Sequence, residues 1–447
     1  MTVRARSVLA LALCVLAGCA GGVPAPGGAA KAPAEATPTR EVLSNGVVLI
    51  TQEHRAADVV ALQLWLRVGG RDEAPNELGL SHYLEHMLFK GTPTRPPGSI
   101  DRLIEGLGGT SNAFTAYDFT HFDVVLPAAH MRAGLDLLAD IAVNASFVPA
   151  ELESEKKVVF EEMNLTEDDP ERFLTRRLSE VAFRPHPYGR PILGTRELIQ
   201  ALTREGLSAY YRKRYVPSNM VVVVVGPVTR GVVRPMLDAT FGRLRGPSIA
   251  RAPLPSVPTL GPTSREDVPR PEQQAYLGLA WMAPPTGHPD IFAVDLLSYI
   301  LGDGPSSRLN QIVREQDGLV EAIEATYVPR EKAGLVMVTA RTERGKLEAA
   351  ERSVLGVVDR IRAGGVTEEE RQRALVTAEA SYAFDIETAE GLARSYGQAE
   401  TTWTLENEVR YLERLRRVTA AELQAAARTY LVDGNYTRVR FVPGGGR

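Results

Sequence analysis

The apolar positions of the chain predict alternating strands and helices. Short runs at residues 47–50 and 59–66 are rich in β-branched side chains and partly alternate with polar ones, which is typical of strands. Residues 78–89 have the periodicity of a helix, and Gly91 ends it. The uninterrupted apolar run at residues 220–225 indicates a strand that is buried on both faces.

Amphipathic helices are predicted at residues 99–107, 131–144 and 149–165. Because strands and helices occur together throughout the chain, these patterns indicate the α+β fold class.

The second half of the chain repeats part of the first. Residues 202–219 match residues 418–435 at a constant offset, and residues 275–281 resemble the predicted strand at 60–66. Each copy of the first pair reads as a helix, a turn with Asn and a β-rich run. A duplicated α+β domain is the economical explanation. The alternative is a chance similarity between two amphipathic helices, since only a few identities support the match.

The composition changes between residues 246 and 270, where prolines accumulate and apolar periodicity is lost. A chain of 447 residues is also too long for one ordinary hydrophobic core. We therefore predict an N-terminal domain at residues 40–245, a linker at 246–270 and a C-terminal domain at 271–447.

The N-terminus has the pattern of an export signal. Arg4 and Arg6 precede a short apolar run that ends in Leu-Ala-Gly-Cys at Cys19, and this order resembles a bacterial lipobox. We predict a signal peptide at residues 1–18, a lipid on Cys19 and a flexible tether at 19–39. The alternative is a plain secretory signal cut near Ala20. The lipoprotein hypothesis implies a bacterial cell envelope location, with the outer membrane facing the periplasm as the expected site.

Charge and cysteine content restrict the chemistry. The formal net charge is −4, and no basic cluster is present, which argues against nucleic acid as the main partner. Cys14 and Cys19 are the only cysteines, and both lie in the N-terminal signal. A metal site in the folded body must therefore use histidines and carboxylates.

The predicted helix at 78–89 contains a candidate metal motif. His82 and His86 lie one turn apart on one face, so both imidazoles can reach a single ion. Glu85 lies beside them, close enough to take a proton from a metal-bound water. This order, His-x-x-Glu-His, is the inverted zinc motif. Two histidines and one carboxylate would leave a fourth zinc position open, as in hydrolytic sites.

The third ligand is expected from the carboxylate-rich helix at 149–165. Glu155 and Glu162 are seven residues apart and share one face of this helix. One of them could bind the metal while the other orients a histidine. A solvated acidic face is the alternative for most of these glutamates.

The segments HYLEHMLFKGT at residues 82–92 and EKKVVFEEM at 155–163 resemble the pitrilysin, insulinase and mitochondrial processing peptidase family of zinc endopeptidases. The resemblance implies that His82, His86 and Glu162 bind one Zn²⁺ and that Glu85 is the general base. It further implies that Glu155 does not bind the metal itself but contacts one of the ligands and holds it in place. Glu161 is the adjacent competitor for the ligand position.

Other segments of the chain resemble the family in the same order. Residues 108–115 are similar to the strand that binds substrate as an added β-strand, with Asn112, Ala113 and Phe114 as contact positions. The family fold implies two tandem, homologous α/β-sandwich domains that are related by pseudo-twofold symmetry and enclose a chamber.

The resemblance breaks in the second half. In the family, an Arg and a Tyr seven residues apart steady the substrate; here Arg314 fits the first position, but Glu321 occupies the second. A carboxylate cannot donate a hydrogen bond to a developing oxyanion. Either a homologous subunit supplies the Arg and Tyr in a heterodimer, or the chain acts alone with altered chemistry. The equivalent helix near residues 293–301 contains no His.

The sequence therefore predicts an envelope-anchored zinc endopeptidase that cuts short or unfolded peptides held in extended form. The rival hypothesis is a non-catalytic, peptidase-like lipoprotein that binds peptides or a partner subunit. Glu321 keeps this rival open.

Overall fold

The computed structural model describes residues 37–257 (the first half) and 263–444 (the second half). Within the first half, six strands form one mixed sheet in the order β1-β2-β6-β3-β5-β4, with β2 and β6 parallel and the other neighbours antiparallel. The strands are β1 (Thr39–Val42), β2 (Val48–Glu53), β3 (Val59–Leu66), β4 (Thr110–Thr115), β5 (Thr120–Pro127) and β6 (Met220–Gly226).

Helices cover the first half between and after these strands. They are α1 (Leu80–Leu88), α2 (Ser99–Gly106), α3 (Met131–Asn144), α4 (Pro149–Asp168), α5 (Pro170–Phe183), α6 (Arg196–Gln200), α7 (Arg204–Arg214) and α8 (Arg230–Ala239). Single 3-10 turns occur at Gly70–Asp72, Ala128–His130, Pro187–Gly189, Pro217–Asn219 and Phe241–Arg243. The helices predicted from the sequence are present here, and their ends differ from the prediction by no more than a turn.

The second half contains the second sheet, in the order β7-β11-β8-β10-β9. Its strands are β7 (Ser264–Arg270), β8 (Ala275–Ala283), β9 (Ala322–Pro329), β10 (Gly334–Thr342) and β11 (Thr437–Pro443). Its helices are α9 (Ile291–Gly302), a π-helical segment (Asn310–Gln316), a 3-10 turn (Arg344–Lys346), α10 (Leu347–Gly364), α11 (Glu368–Asp385), α12 (Ala389–Thr402), α13 (Leu405–Val409), α14 (Tyr411–Leu415) and α15 (Ala420–Tyr430).

The two sheets have the same topology apart from β1, an additional edge strand of the first sheet. In each, a parallel pair (β2 with β6, β7 with β11) is followed by three antiparallel strands, so that β6, β3, β5 and β4 correspond to β11, β8, β10 and β9. The helix before the last strand of each sheet also begins alike, because Thr203 and Thr419 each cap it by accepting a backbone N–H. This matching order confirms the predicted pair of homologous α+β units.

Each half covers one face of the other half's sheet with a helix. On the first sheet, Leu62 and Leu64 point toward α1 and α3, whereas Trp65 of β3 packs on α12 of the second half. A side chain at Gly397 of α12 would meet the Trp65 ring, with Cβ 2.0 Å from Nε1. On the second sheet, α5 of the first half lies in the place that corresponds to α12, and its Leu174 packs against β8 and β11. Residues 37–257 and 263–444 thus belong to one compact unit.

Charged side chains also join the halves. Arg71 contacts Asp118 at 3.0 Å and Glu331 at 2.6 Å, and Arg251 contacts Asp72 and Glu331, both at 2.7 Å. Arg71, Asp72 and Asp118 are buried, so each charge is compensated by an ion pair.

The predicted linker at residues 246–270 is wrong at its C-terminal end. Ser264–Arg270 forms the edge strand β7, which pairs in parallel with β11. Pro269 is tolerated there because an edge strand has one side without ladder hydrogen bonds. The division into domains at 40–245 and 271–447 stays a prediction.

Cys19 and the predicted signal peptide lie outside the described residues. Among residues 37–257 and 263–444, no single helix combines the length and apolar composition needed to cross a membrane; the bent pair at residues 128–144 and 149–168 meets that test only when both helices are taken together.

Candidate metal centre

The helix that carries the inverted motif is fixed at its N-terminus by a buried carboxylate. Glu73 accepts the backbone N–H of Gly79 (2.9 Å) and of Ser81 (2.7 Å), which satisfies two free donors in the first turn of α1. Burial raises the pKa of Glu73 to about 8. Gly79 adopts φ of 91° and lies against Gly194, where a Cβ would come within 2.8 Å of the Gly194 Cα.

Three donor atoms from two helices converge on one point. The Nε2 atoms of His82 and His86, on α1, lie 3.3 and 3.5 Å from Oε2 of Glu162, on α4. All three donors lie within 4.8 Å of one another. Ligand distances of about 2.0–2.2 Å in a tetrahedral zinc site place donors roughly 3.3–3.6 Å apart. The residues therefore fit a zinc ion.

Glu155 orients His86 from the side away from the donor cluster. Its Oε2 lies 3.1 Å from Nδ1 of His86, and its Oε1 lies 2.7 Å from Nζ of Lys90. A proton on Nδ1 would leave Nε2 with its lone pair toward the metal position. Burial raises the pKa of Glu155, but the hydrogen bonds to His86 and Lys90 outweigh this effect and lower it.

The carboxylates also shift the protonation of the ligands. Burial lowers the pKa of His86, but the hydrogen bonds to Glu155 and Glu162 outweigh it and raise the pKa to about 9. The contacts with His82 and His86 hold the pKa of Glu162 well below its usual range. A metal cation at this point would replace the proton that these carboxylates favour.

Glu85 is held by a residue that the sequence did not single out. Thr115, buried at the end of β4, donates a hydrogen bond of 2.6 Å from Oγ1 to Oε2 of Glu85. Thr115 is the last residue of the segment 108–115, which resembles the substrate-binding strand of the family. That resemblance was the only feature of the sequence that could have indicated a role for Thr115. The hydrogen bond fixes one carboxylate oxygen and leaves the other to accept a proton.

The donor cluster faces a cavity between the two halves. This cavity of about 910 Å³ (the metal cavity) is lined by His82, Glu85 and Glu162, by residues 113–119 around the end of β4 and by Arg330 and other residues of the second half. A space of this size accommodates a segment of extended chain but not a folded domain.

Strand β4 forms one wall of the metal cavity. In the described part of the chain it pairs only with β5, so its outer edge is open. Ala113 and Phe114 line the cavity, and Phe114 is 53% exposed. Asn112 is exposed on the same strand, outside the cavity lining, and its Oδ1 accepts the backbone N–H of Ala113.

The competing glutamate is turned away. Glu161 is exposed and its Oε2 accepts a hydrogen bond from Asn164 at 3.3 Å, on the side of α4 that faces solvent. The structure thus brings Glu162, and not Glu161, to the histidines.

Arg314 does not lie at this site. It is half-exposed in the π-helical segment, 3.6 Å from Glu315, and does not line the metal cavity. Glu321 is likewise absent from the lining of the metal cavity, and it accepts hydrogen bonds from Gln274 (2.7 Å) and Arg341 (3.3 Å). That Arg314 acts at the catalytic centre stays a prediction.

The protein has the architecture of a zinc peptidase. Two histidines of the inverted motif lie on one helix, a glutamate on a second helix joins them, and two equivalent sheets form the scaffold. Comparison with known families agrees. Residues 48–196 match the family described as "Insulinase (Peptidase family M16)", and residues 201–376 match "Peptidase M16 inactive domain".

Relatives of similar length carry related descriptions. An uncharacterized zinc protease of Rickettsia felis is 30% identical over 309 residues, which cover 68% of this chain and 74% of the relative. One from Mycobacterium tuberculosis is 29% identical over 402 residues, covering 88% of this chain and 91% of the relative. The chain belongs to peptidase family M16.

Solved structures show the same fold. A protease from Helicobacter pylori superposes with a TM-score of 0.87 at 23% identity, covering 92% of this chain and 100% of that one. A Pseudomonas fluorescens structure described as a peptidase M16 inactive domain gives a TM-score of 0.85 at 21% identity, covering 92% and 99%.

Proposed function

We propose that the chain is a zinc-dependent endopeptidase that hydrolyses short or unfolded peptides bound in an extended conformation. The observation that carries the proposal is the convergence of His82, His86 and Glu162 beside Glu85, in a cavity walled by an open strand edge.

The side chains divide the chemical work. Zinc bound to His82, His86 and Glu162 would supply Lewis acidity and lower the pKa of a water molecule. Glu85 accepts the proton of the attacking water on its carboxylate and later gives it to the leaving amine. Thr115 holds Glu85 in place through its hydrogen bond. Glu155 fixes the ring of His86.

The open edge of β4 determines how a substrate binds. An extended peptide can pair with its free N–H and C=O groups, so that backbone hydrogen bonds supply affinity with little dependence on sequence. Folded proteins are excluded because their chains are already paired and the cavity is too small for a domain.

The test compares the purified protein with its Glu85→Gln variant on a quenched library of unstructured peptides, with bound zinc quantified in both. We expect cleavage by the native protein only, with equal zinc in both proteins. Equal cleavage by the variant would exclude Glu85 as the base, and an absence of zinc in the native protein would contradict the metal assignment.

A heterodimeric enzyme is the second form of this proposal, because Arg314 and Glu321 lie outside the metal cavity. In that form a homologous subunit contributes an Arg and a Tyr. Zinc binding without cleavage, followed by cleavage when the subunit is added, would favour it. Zinc binding without cleavage under any pairing would favour the non-catalytic scaffold.

We also propose that Cys19 carries a lipid that anchors the protein in the bacterial envelope. The Leu-Ala-Gly-Cys order supports this proposal. Metabolic labelling with a fatty acid should mark the native protein and not Cys19→Ala. Equal labelling of both would refute the anchor.

A further inference from the structure

A second cavity lies in the second half, at the position that corresponds to the metal site. The metal cavity draws lining residues from α1, β4, α4 and α5. The second cavity, of about 320 Å³ (the acidic cavity), is lined by α9, β9, α11 and α12, which are the topological counterparts of those four elements. The duplication has therefore kept a cavity where the second half lacks zinc ligands.

The acidic cavity combines carboxylates with aromatic rings. Its charged lining consists of Asp295, Asp385 and Glu408 against one cation, Arg394, which lies 4.0 Å from Glu390. Its aromatic lining consists of Tyr327, Tyr382, Tyr411 and Trp403. The rings of Tyr382 and Tyr411 are stacked at 5.4 Å.

The two deepest carboxylates are held by hydroxyl groups and not by cations. Asp295 accepts a hydrogen bond from the Tyr411 hydroxyl, and Oε1 of Glu408 accepts from Tyr382 (3.0 Å) and Ser395 (2.6 Å). Within the described residues, neither acid has a basic partner, and each keeps one oxygen without a hydrogen bond. Burial raises the pKa of Asp295 to about 6 and also raises the pKa of Glu408.

The acidic cavity and the metal cavity share part of their walls. Thr286, Pro329, Gln398 and Thr402 line both. A side chain of a molecule bound along the metal cavity can therefore reach the acidic cavity without leaving the protein.

We propose that the acidic cavity binds a cationic side chain, lysine or arginine, of the peptide whose backbone occupies the metal cavity. A cation satisfies the free oxygens of the two buried carboxylates and stacks on the tyrosine rings, as ammonium and guanidinium groups do. A metal ion is a poorer fit, since among the described residues only His82, His86 and Glu162 form a group of three or more donors close enough to share one. This inference rests on the proposed peptide-binding function.

The experiment measures peptide binding directly, without turnover. Zinc-loaded Glu85→Gln protein is titrated into fluorescent, unstructured peptides that carry one lysine at successive positions or norleucine in its place. A parallel set compares arginine with citrulline. We expect one register in which the cationic peptide binds roughly tenfold or more tightly than its neutral partner.

Substitutions in the cavity then identify where the cation binds. In the same background, Asp295→Asn combined with Glu408→Gln keeps acceptors for the tyrosine hydroxyls but removes both charges, and the cationic preference should be lost. Glu413→Gln, an exposed glutamate of the same half that pairs with Arg417, is the control and should keep it. Thermal unfolding checks that the double variant is folded.

The outcomes separate this inference from the proposed function. No cationic preference in any register, no peptide binding at all, or a preference that survives the double variant overturns the inference. Cleavage of the norleucine peptides by the native protein tests the peptidase proposal independently. Charge-dependent binding without cleavage by the chain, alone or paired with a homologous subunit, would keep the acidic cavity as a peptide-binding site and reject the enzyme.

Discussion

Removing the carboxylate of Glu155 should weaken zinc binding without touching a ligand. In Glu155→Gln the amide keeps the shape of the side chain but loses the charge that interacts with Nδ1 of His86 at 3.1 Å. The tautomer of His86 with its proton on Nδ1, which leaves the lone pair of Nε2 free to bind the metal, is then less stabilised. Glu155→Ala removes the contact altogether.

The size of the effect follows from the burial of this contact. The Glu155 side chain is only 6% exposed, so water does not replace the lost partner of His86. Loss of such a supporting hydrogen bond typically costs about 10–100-fold in metal affinity, which is about 1.4–2.7 kcal/mol. We expect the Gln variant near the lower limit and the Ala variant near the upper one. The second partner, Lys90, is one-third exposed, so its lost ion pair costs at most about 1 kcal/mol of folding stability.

The assay is zinc competition with a chromophoric chelator at neutral pH. Glu153→Gln is the matched control, because Glu153 lies on the same helix, is exposed and pairs with Lys156. Thermal unfolding of the chelator-treated proteins separates a weaker metal site from a weaker fold. Zinc affinity equal to the native value in both Glu155 variants would refute the reasoning, as would an equal loss in Glu153→Gln.

Three further predictions follow from contacts described above. Thr115→Val should lower kcat by about tenfold while the zinc content stays native, because the hydroxyl that holds Glu85 is lost. Thr115→Ser keeps a hydroxyl and should retain the native kcat. An unchanged kcat in the Val variant would contradict this role of Thr115. Burial raises the pKa of Asp295 from 3.8 to about 6, so the folded state holds this proton more tightly than the unfolded chain. The contribution of Asp295 to stability should therefore fall by up to about 3 kcal/mol between roughly pH 4 and 6, and Asp295→Asn should reduce the pH dependence of unfolding by that amount. Gly397→Ala should destabilise the protein by about 1–3 kcal/mol, because the added Cβ clashes with Trp65. Gly356→Ala is the control: a Cβ has room there, so this variant should be neutral or more stable. Equal melting temperatures for the two variants would contradict the packing of Gly397 on Trp65.

Local patterns predicted the ligand helix well. The spacing of His82 and His86 fixes their common face as soon as the segment is helical, and the seven-residue spacing of Glu155 and Glu162 does the same on α4. Which side chains share a face of α1 or of α4 depends on the helical repeat alone. The structure adds which face of α4 meets α1, and thereby assigns the two glutamates their different contacts.

Contacts between distant segments could not be predicted in this way. The hydrogen bond from Thr115 to Glu85 depends on how β4 packs beside α1, which no periodicity encodes. The strand β7 was missed because its sequence is polar and contains Pro269, as an exposed edge strand allows. The amphipathic pattern of α5 and α12 indicates that each buries a face, but not that each buries it on the sheet of the other half.

The exchange of α5 and α12 has a consequence for how the chain acquires its structure. One face of the first sheet, around Trp65, stays uncovered until residues 389–402 have emerged from the ribosome, at nearly nine-tenths of the chain. The core between the first sheet and its own helices needs no residue of the second half, but a fragment that ends before α12 would present the other, apolar face of the sheet to solvent. We therefore expect the folding of the two halves to be coupled, because the stability of each sheet depends on a helix of the other half.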